Sequence, residues 1–95
     1  MKKRGIKIRI VKRRGHLEEY DQKKVYGSCY GACYATGLTA KECEAIAEAV
    51  AKEASRWVKS RQKVTSTEIF RFVVKLLKKH NKEVAFLYET HRDIS

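Results

Sequence analysis

The sequence lacks proline altogether and contains a single asparagine, and none of its apolar runs approaches the about 20 residues needed to cross a bilayer. The sequence therefore excludes a transmembrane protein. The N-terminal stretch MKKRGIKIRI is basic, but it has neither the apolar run nor the small-residue cleavage site of a signal peptide. We therefore expect a cytoplasmic protein that is not inserted in a membrane. The missing proline, the single asparagine and the 35% of charged residues also hint at a heat-adapted source.

Cysteine is scarce, and the three that occur do not suggest a metal site. Cys29, Cys33 and Cys43 cannot all pair within one chain. Cys29 and Cys33 are four residues apart in a predicted helix, and no histidine or acidic ligand set lies close to them in sequence. A zinc site needs four ligands, whereas helical thiols at this spacing more often fill a core. We therefore expect no metal.

Sequence motifs of enzymes are missing as well. There is no G-x-x-x-x-G-K-[ST] loop, no G-x-G-x-x-G turn and no G-x-S-x-G elbow. His16, His80 and His91 are scattered along the chain. Glu18 and Glu19 are neighbours in a predicted strand, so their side chains point to opposite faces and cannot flank one substrate bond. We therefore predict that the chain is not an enzyme.

Apolar periodicity predicts one α+β domain over residues 1–95, with a β-hairpin or small sheet set against four helices. Isoleucines alternate with basic residues in GIKIRIVKRRG, which is typical of a half-buried strand, and Gly15 supplies the hairpin turn. Asp21, Thr39 and Thr65 are candidate N-caps, and QKVT is a candidate third strand. The predicted ranges are about 5–20 for the hairpin and about 22–36, 40–61, 66–79 and 82–92 for the helices.

The first predicted helix carries two glycines and three regularly spaced tyrosines. Gly27 and Gly31 each cost about 1 kcal/mol against alanine in a helix interior, so we expect another element to pack unusually close to them. Tyr26, Tyr30 and Tyr34 are four residues apart. Two interpretations stay open for these rings: packing beneath the sheet, or a surface for a partner or for self-association.

Positive charge is abundant and unevenly distributed along the chain. The formal net charge is +11. Residues 1–24 hold ten Lys and Arg against three acidic residues, which is a net charge of +7. This excess favours an anionic partner such as a nucleic acid, a nucleotide or a membrane surface. The alternative is a solvated basic face that only keeps the domain soluble.

The basic residues near the predicted hairpin end form a candidate anion site. Lys12 and Arg13 precede the turn, Lys24 lies one turn into the first helix, and all three could converge on one polyphosphate. Glu18 and Asp21 lie close by in the sequence. Because carboxylates oppose the binding of a long phosphate backbone, this mixture favours a mononucleotide over a nucleic acid strand.

The stretch IVKRRGHLEEYDQKKV resembles the opening of the ATP-cone domain, whose pattern is V-x-K-R-[DN]-G-x-x-x-x-[FY]-[DN]-x-x-K-[IV]. VTSTEIFRFVVKLL resembles the family's [VT]-[ST]-S-x-[ED]-I stretch, and EVAFLYETHR resembles its VAxxY…R ending. The three fragments agree with the family in order and spacing from about residue 6 to 92. The resemblance implies a β-hairpin or small three-stranded mixed sheet capping a four-helix bundle. It also implies allosteric binding of ATP or dATP, with or without Mg²⁺.

The resemblance also implies which residues bind the nucleotide. Lys12 and Arg13 would bind the phosphates, and Gly15 would lie in the turn beside them. Ser66 would hydrogen-bond to the nucleotide from the start of the third helix. Arg92 would reach the phosphates from the last helix.

The base and sugar would be recognised by a second group of residues under the same resemblance. Glu18 and Asp21 would contact the adenine or the sugar, and the main chain near Ile10 would read the base edge. Lys24 would close the pocket. Such domains usually lie at the N-terminus of ribonucleotide reductases or behind a zinc ribbon in the repressor of reductase genes, so the resemblance implies allosteric or transcription regulation.

Two departures from the family pattern leave alternatives open. Arg14 stands where the pattern has Asp or Asn, and no catalytic domain or zinc ribbon accompanies the domain. The regulated partner would then be another chain, or a further part of a longer one, although Met1 and the missing trailing linker favour a complete small protein. The main alternative is a small basic nucleic-acid-binding protein that uses the hairpin; another is a degenerate domain that serves only as an interaction module. Homo-oligomerisation is open too.

Overall fold

The computed structural model of the chain describes the backbone of residues 10–13, 16–61 and 63–90, and the side chains of residues 20–61 and 63–90. In chain order, its elements are two strands, two helices, a third short strand and two further helices. They are β1 (Ile10–Arg13), β2 (His16–Glu19), α1 (Gln22–Ala35), α2 (Ala40–Lys59), β3 (Val64–Thr65), α3 (Ser66–His80) and α4 (Lys82–Thr90).

All four helices begin at the predicted residue, because each start is marked by a local signal. Asp21 caps α1 by accepting a hydrogen bond from the Lys23 amide at 2.9 Å. Thr39 and Thr65 open α2 and α3 with reciprocal capping boxes that involve Glu42 and Glu68. The three predicted N-caps are thus confirmed, and the first three helices end within two residues of their predicted ends.

The end of α1 follows from the backbone freedom of one glycine. Gly37 has a φ of 96°, a left-handed conformation that side chains other than glycine rarely adopt. Its amide donates to the Tyr34 carbonyl at 3.0 Å, and the Leu38 amide donates to the Cys33 carbonyl at 3.3 Å. This is the Schellman pattern, which satisfies carbonyls at a helix C-terminus and turns the chain toward α2.

The core lies between the helices. The main buried cluster draws its members from all four helices, because each helix carries an apolar stripe at helical spacing. A smaller cluster joins Val58 near the end of α2 to Val64 of β3. Complete burial of a valine or leucine side chain contributes about 1.5–3 kcal/mol. The fully buried large side chains are Leu77, Val50, Val58, Val64, Val73, Val84, Cys29, Cys33 and Cys43.

The three strands pair through their backbones in the order β2-β1-β3. β1 and β2 are antiparallel, with Ile10 opposite Glu19 and Arg13 opposite His16. β1 and β3 are parallel, with Lys12 opposite Thr65. The pairing is short, since β1 and β2 have four residues each and β3 has two.

The predicted fold class, an α+β domain with a sheet capping the bundle, is wrong as a description of this molecule. Helices account for 83% of the residues whose side chains the structure describes, and β3 is the one short strand among those residues. The physical reason is that the apolar faces of the helices bury one another, so no sheet is needed to cover them. Strand β1 contacts α3 instead. None of the helices in the described ranges is long and apolar enough to span a membrane.

The expectation for the two glycines of α1 is also wrong. Gly27 and Gly31 are exposed, and a Cβ atom added to either would find nothing within 4 Å. No element therefore packs closely against them in the part of the chain that the structure describes. Tyr26 and Tyr30 are half-buried against the helical core, while Tyr34 is 67% exposed. Packing thus accounts for two of the three tyrosines, although against helices and not beneath a sheet.

Replacement of Gly27 by alanine should stabilise the protein. The open space around this residue accepts a methyl group, and alanine loses less backbone entropy on folding than glycine. We expect the free energy of unfolding to rise by about 0.5–1 kcal/mol, measured by urea denaturation. Gly37→Ala is the matched control and should destabilise the protein, because its φ of 96° strains any residue with a side chain. A loss of stability in Gly27→Ala would contradict the open helix surface.

The buried thiols should make the protein sensitive to alkaline pH. Burial raises the pKa of Cys29 from its ordinary value of 9.0 to about 12 and that of Cys33 to about 11. Because these pKa values are higher in the folded state, the stabilisation is complete below about pH 9 and is lost as the pH rises through 11 to 12. Thermal unfolding under reducing conditions should show a falling midpoint from pH 9 upward. A midpoint that stays constant up to pH 11 would show that the thiols are solvated.

Candidate functional site

The register of β1 brings the N-terminal basic stretch next to the beginning of α3. Lys12 lies opposite Thr65 in the parallel pair, and Thr65 is the N-cap of α3. Ser66 is the first residue of that helix and is half-buried. Since parallel strands run in the same direction, β1 ends at Arg13 on the side of the sheet from which α3 starts. Two parts of the chain that are far apart in sequence therefore meet at one edge.

The start of α3 has main-chain amides that are not used within the helix, and its first turn already carries the carboxylate of Glu68. The Glu68 amide donates to Thr65 Oγ1 at 3.0 Å, and the Thr65 amide donates to Glu68 Oε1 at 2.9 Å. This reciprocal pair fixes the first turn in a half-buried position. The first amides of a helix have no carbonyl partner within it, and the helix dipole places partial positive charge there. Ser66 is located at this end.

The second helix start lies at the opposite end of the sheet. β2 runs antiparallel to β1, so Glu19 lies opposite Ile10, and Asp21 follows two residues later. Asp21 Oδ1 accepts from the Lys23 amide at 2.9 Å, and the Asp21 carbonyl accepts from the Lys24 amide at 3.1 Å. Asp21 and Lys24 are both exposed.

The predicted site residues therefore fall into two groups along β1. Lys12 and Arg13 share one end with Ser66, whereas Ile10 shares the other end with the start of α1. Three residue steps along a strand separate the ends by roughly 10 Å. The backbone therefore distributes the predicted site residues along the length of β1 and does not bring them all together at one of its ends.

The structure describes only part of the predicted set at the level of side chains. Glu18 lies opposite Val11 in the β1–β2 pair, and its place, like those of Ile10, Lys12 and Arg13, is described by the backbone alone. Gly15 and Arg92 lie outside the described residues.

A hydrogen-bonded group on α2 supports the start of α1, and sequence reasoning missed it. Ser55 Oγ lies 2.9 Å from the Tyr20 hydroxyl and donates to Gln22 Oε1, also at 2.9 Å. Tyr20 is half-buried and packs against both core clusters, as does Ile69 in the first turns of α3. The available signal was a serine within the apolar stripe of α2, because such a residue needs a polar partner when buried.

A pair of stacked aromatic rings, Phe70 of α3 and Tyr88 of α4, lies beside the same region. The ring of Tyr88 stacks on that of Phe70 with the ring centroids 5.4 Å apart. Burial raises the pKa of Tyr88 to about 12, with smaller contributions that include a hydrogen bond with Ser28, which lowers it. Tyr88 thus joins α4 to α3 through the stacked ring of Phe70 and to α1 through Ser28.

A groove of about 540 Å³ between α1 and α2 contains none of the predicted site residues. Lysines and glutamates share its rim, so it has no clear preference for an anion. Its lining residues are Gln22, Lys23, Tyr26, Glu44, Glu48, Ala51 and Lys52. Within the described ranges, no group of His, Cys, Asp or Glu side chains could hold a metal ion.

Removal of the α3 cap should destabilise the edge at which Lys12 and Ser66 meet. Thr65→Ala removes the acceptor for the Glu68 amide, so the free energy of unfolding should fall by about 1 kcal/mol in urea denaturation. Thr39→Ala is the matched variant, because Thr39 caps α2 with the same capping box far from this edge. The two losses should be similar; an unchanged stability for Thr65→Ala would mean that the cap is not formed in solution.

Comparison with known proteins adds one finding. The family model described as the ATP cone domain matches residues 8–94, which is nearly the whole chain. No curated protein and no solved structure matches the chain.

Proposed function

The chain belongs to the ATP cone domain family, and on that premise we propose that it is an adenine-nucleotide sensor that regulates a partner protein. Domains of this family bind adenine nucleotides and are regulatory, not catalytic. The finer parts of the proposal are the ligand, the residues that bind it and the regulated partner.

One observation carries the proposal: the parallel pairing that sets Lys12 opposite the N-cap of α3. In our proposal the phosphates lie at this edge, held by Lys12 and Arg13 and by Ser66 at the helix start. A guanidinium offers two parallel donors, an ammonium offers a compact charge, and a helix N-terminus adds free amides. By the family resemblance, Gly15 and Arg92 would also belong to the phosphate site.

The adenine and sugar would lie toward the other end of β1. The main chain at Ile10 would read the base edge, while Glu18 and Asp21 accept hydrogen bonds from the amino group or the sugar. Lys24 would close the site from the first turn of α1. The length of β1, with its ends roughly 10 Å apart, suits an extended nucleoside triphosphate better than a compact anion.

We propose ATP or dATP as the ligand. Where Mg²⁺ accompanies the nucleotide, the phosphates would hold it, since the described part of the chain offers no cluster of metal ligands. Binding would act by population shift: nucleotide favours one arrangement of the helices and thereby changes the contacts with the partner. By family, the partner would be a ribonucleotide reductase or a regulator of its genes in the cytoplasm, or a second copy of the chain.

A second candidate function is nucleic acid binding, which the exposed basic residues of α3 favour. Arg71, Lys75, Lys78 and Lys79 are exposed on this helix. A phosphate backbone would bind them with strong salt dependence and little preference for base identity. The adenine-nucleotide proposal predicts the opposite behaviour.

Calorimetry distinguishes the two functions. We expect saturable heat with ATP and dATP, much less with GTP and none with a short DNA duplex. Lys12→Ala/Arg13→Ala should weaken ATP binding by about 100-fold or more, because each charge-assisted hydrogen bond contributes about 1.5–3 kcal/mol.

The control is Lys78→Ala/Lys79→Ala, which removes the same charge from exposed positions in the last turn of α3. This variant should bind ATP as the unmodified protein does. If both double variants lose ATP to the same degree, the effect is one of net charge. Heat with the duplex alone would favour nucleic acid binding and overturn the proposal.

A further inference from the structure

Ser55 is unusual in its environment. It is 6% exposed, and among the residues whose side chains the structure describes it is the one buried polar side chain. The residues around it on α2, such as Ala51, Ala54 and Val58, are apolar core residues. A buried hydroxyl without a partner costs about 1–3 kcal/mol, so its hydrogen bonds must offset that cost.

The hydrogen bonds of Ser55 form a chain with a defined direction. Gln22 Oε1 is an acceptor, so the single proton of the Ser55 hydroxyl is donated to it, at 2.9 Å. The Tyr20 hydroxyl, also at 2.9 Å, must then donate its own proton to Ser55 Oγ. Tyr20 has this proton to donate at neutral pH, since the ordinary pKa of a tyrosine is 10.0 and burial raises the pKa of Tyr20 further. The chain therefore runs from Tyr20 through Ser55 to Gln22.

This chain of hydrogen bonds holds both neighbours of Asp21. Tyr20 precedes the N-cap of α1 and Gln22 follows it, and both are tied to the same atom of α2. Asp21 itself accepts a hydrogen bond from the Lys23 amide at its side chain and one from the Lys24 amide at its carbonyl. The position of the first turn of α1 relative to α2 thus depends on a residue more than 30 positions away in sequence.

We propose that Ser55 is a positioning residue for adenine-nucleotide binding, which acts by holding Asp21 and the first turn of α1 in the arrangement that receives the ligand. The inference rests on the proposed function, because Asp21 and Lys24 belong to the nucleotide site only under that proposal. A first turn that is already ordered loses less conformational entropy when the ligand binds. Loss of the anchor therefore weakens binding more than it weakens folding.

The variant Ser55→Ala separates these two effects. Alanine is the best helix former, and Gln22 is exposed and Tyr20 half-exposed, so water can satisfy the polar groups that lose their partner. We expect the urea midpoint to change little and the affinity for ATP, measured by calorimetry, to fall about tenfold. Tyr20→Phe removes only the bond between Tyr20 and Ser55 and leaves the bond from Ser55 to Gln22, so it should weaken ATP binding in the same direction but less. The double variant should lose no more than Ser55→Ala alone, since Ser55→Ala already breaks both bonds.

A second readout tests positioning directly and needs no ligand. Amide hydrogen exchange at Lys23 and Lys24 should become faster in Ser55→Ala, while exchange at Gly37 and Leu38, at the other end of α1, should not change. Ser60→Ala is the matched control at the C-cap of the same helix, because the Ser60 hydroxyl donates to the Trp57 carbonyl in the last turn of α2. This variant should change neither exchange at Lys23 and Lys24 nor ATP affinity.

The possible results separate the two proposals. If the unmodified protein gives no heat with ATP, the proposed function fails and this inference fails with it. If the unmodified protein binds ATP and Ser55→Ala binds equally well, the function stands and the positioning role of Ser55 is overturned. Weaker binding with unchanged exchange at Lys23 and Lys24 would also overturn it. Should Ser55→Ala fail to fold, Tyr20→Phe tests the bond between Tyr20 and Ser55 with the same two readouts, and unchanged ATP affinity together with unchanged exchange would overturn the inference.

Discussion

The parallel pairing of β1 with β3 is the contact on which the proposed nucleotide site depends. It involves few residues, Val11 opposite Val64 and Lys12 opposite Thr65, yet it joins the N-terminal basic stretch to the middle of the chain. Val64 is buried against Val58 of α2, so the strand that receives β1 is itself fixed by the core. Without this pairing, the N-terminal stretch would have no defined position relative to the start of α3.

The helices supply the rigidity that this small sheet cannot. Their buried stripes form the main cluster, and Tyr20 and Ile69 connect it to the smaller cluster beside β3. Both residues lie next to helix starts that frame the site. A change in the packing of α1, α2 and α3 would therefore change the distance between the two ends of the proposed nucleotide site, which gives a regulatory domain a physical means of response.

Sequence reasoning succeeded where the signal is local and failed where it depends on neighbours in space. The caps at Asp21, Thr39 and Thr65 were predicted because each interaction spans no more than three residues. The close packing expected at Gly27 and Gly31 was wrong, because a glycine in a helix does not reveal what lies across from it. The predicted sheet cap was wrong for a similar reason: amphipathic stripes show which face is buried but not which element covers it.

By itself, the sequence determined where the helices begin, which faces they bury and to which family the chain belongs, since capping, apolar periodicity and short motifs are all properties of neighbouring residues. Only the tertiary structure decided that Lys12 lies opposite the N-cap of α3 and that Ser55 anchors Tyr20 and Gln22. These contacts join residues that are 33 or more positions apart. Their partners are set by how the helices pack, and that packing leaves no trace in the spacing of residues along the chain.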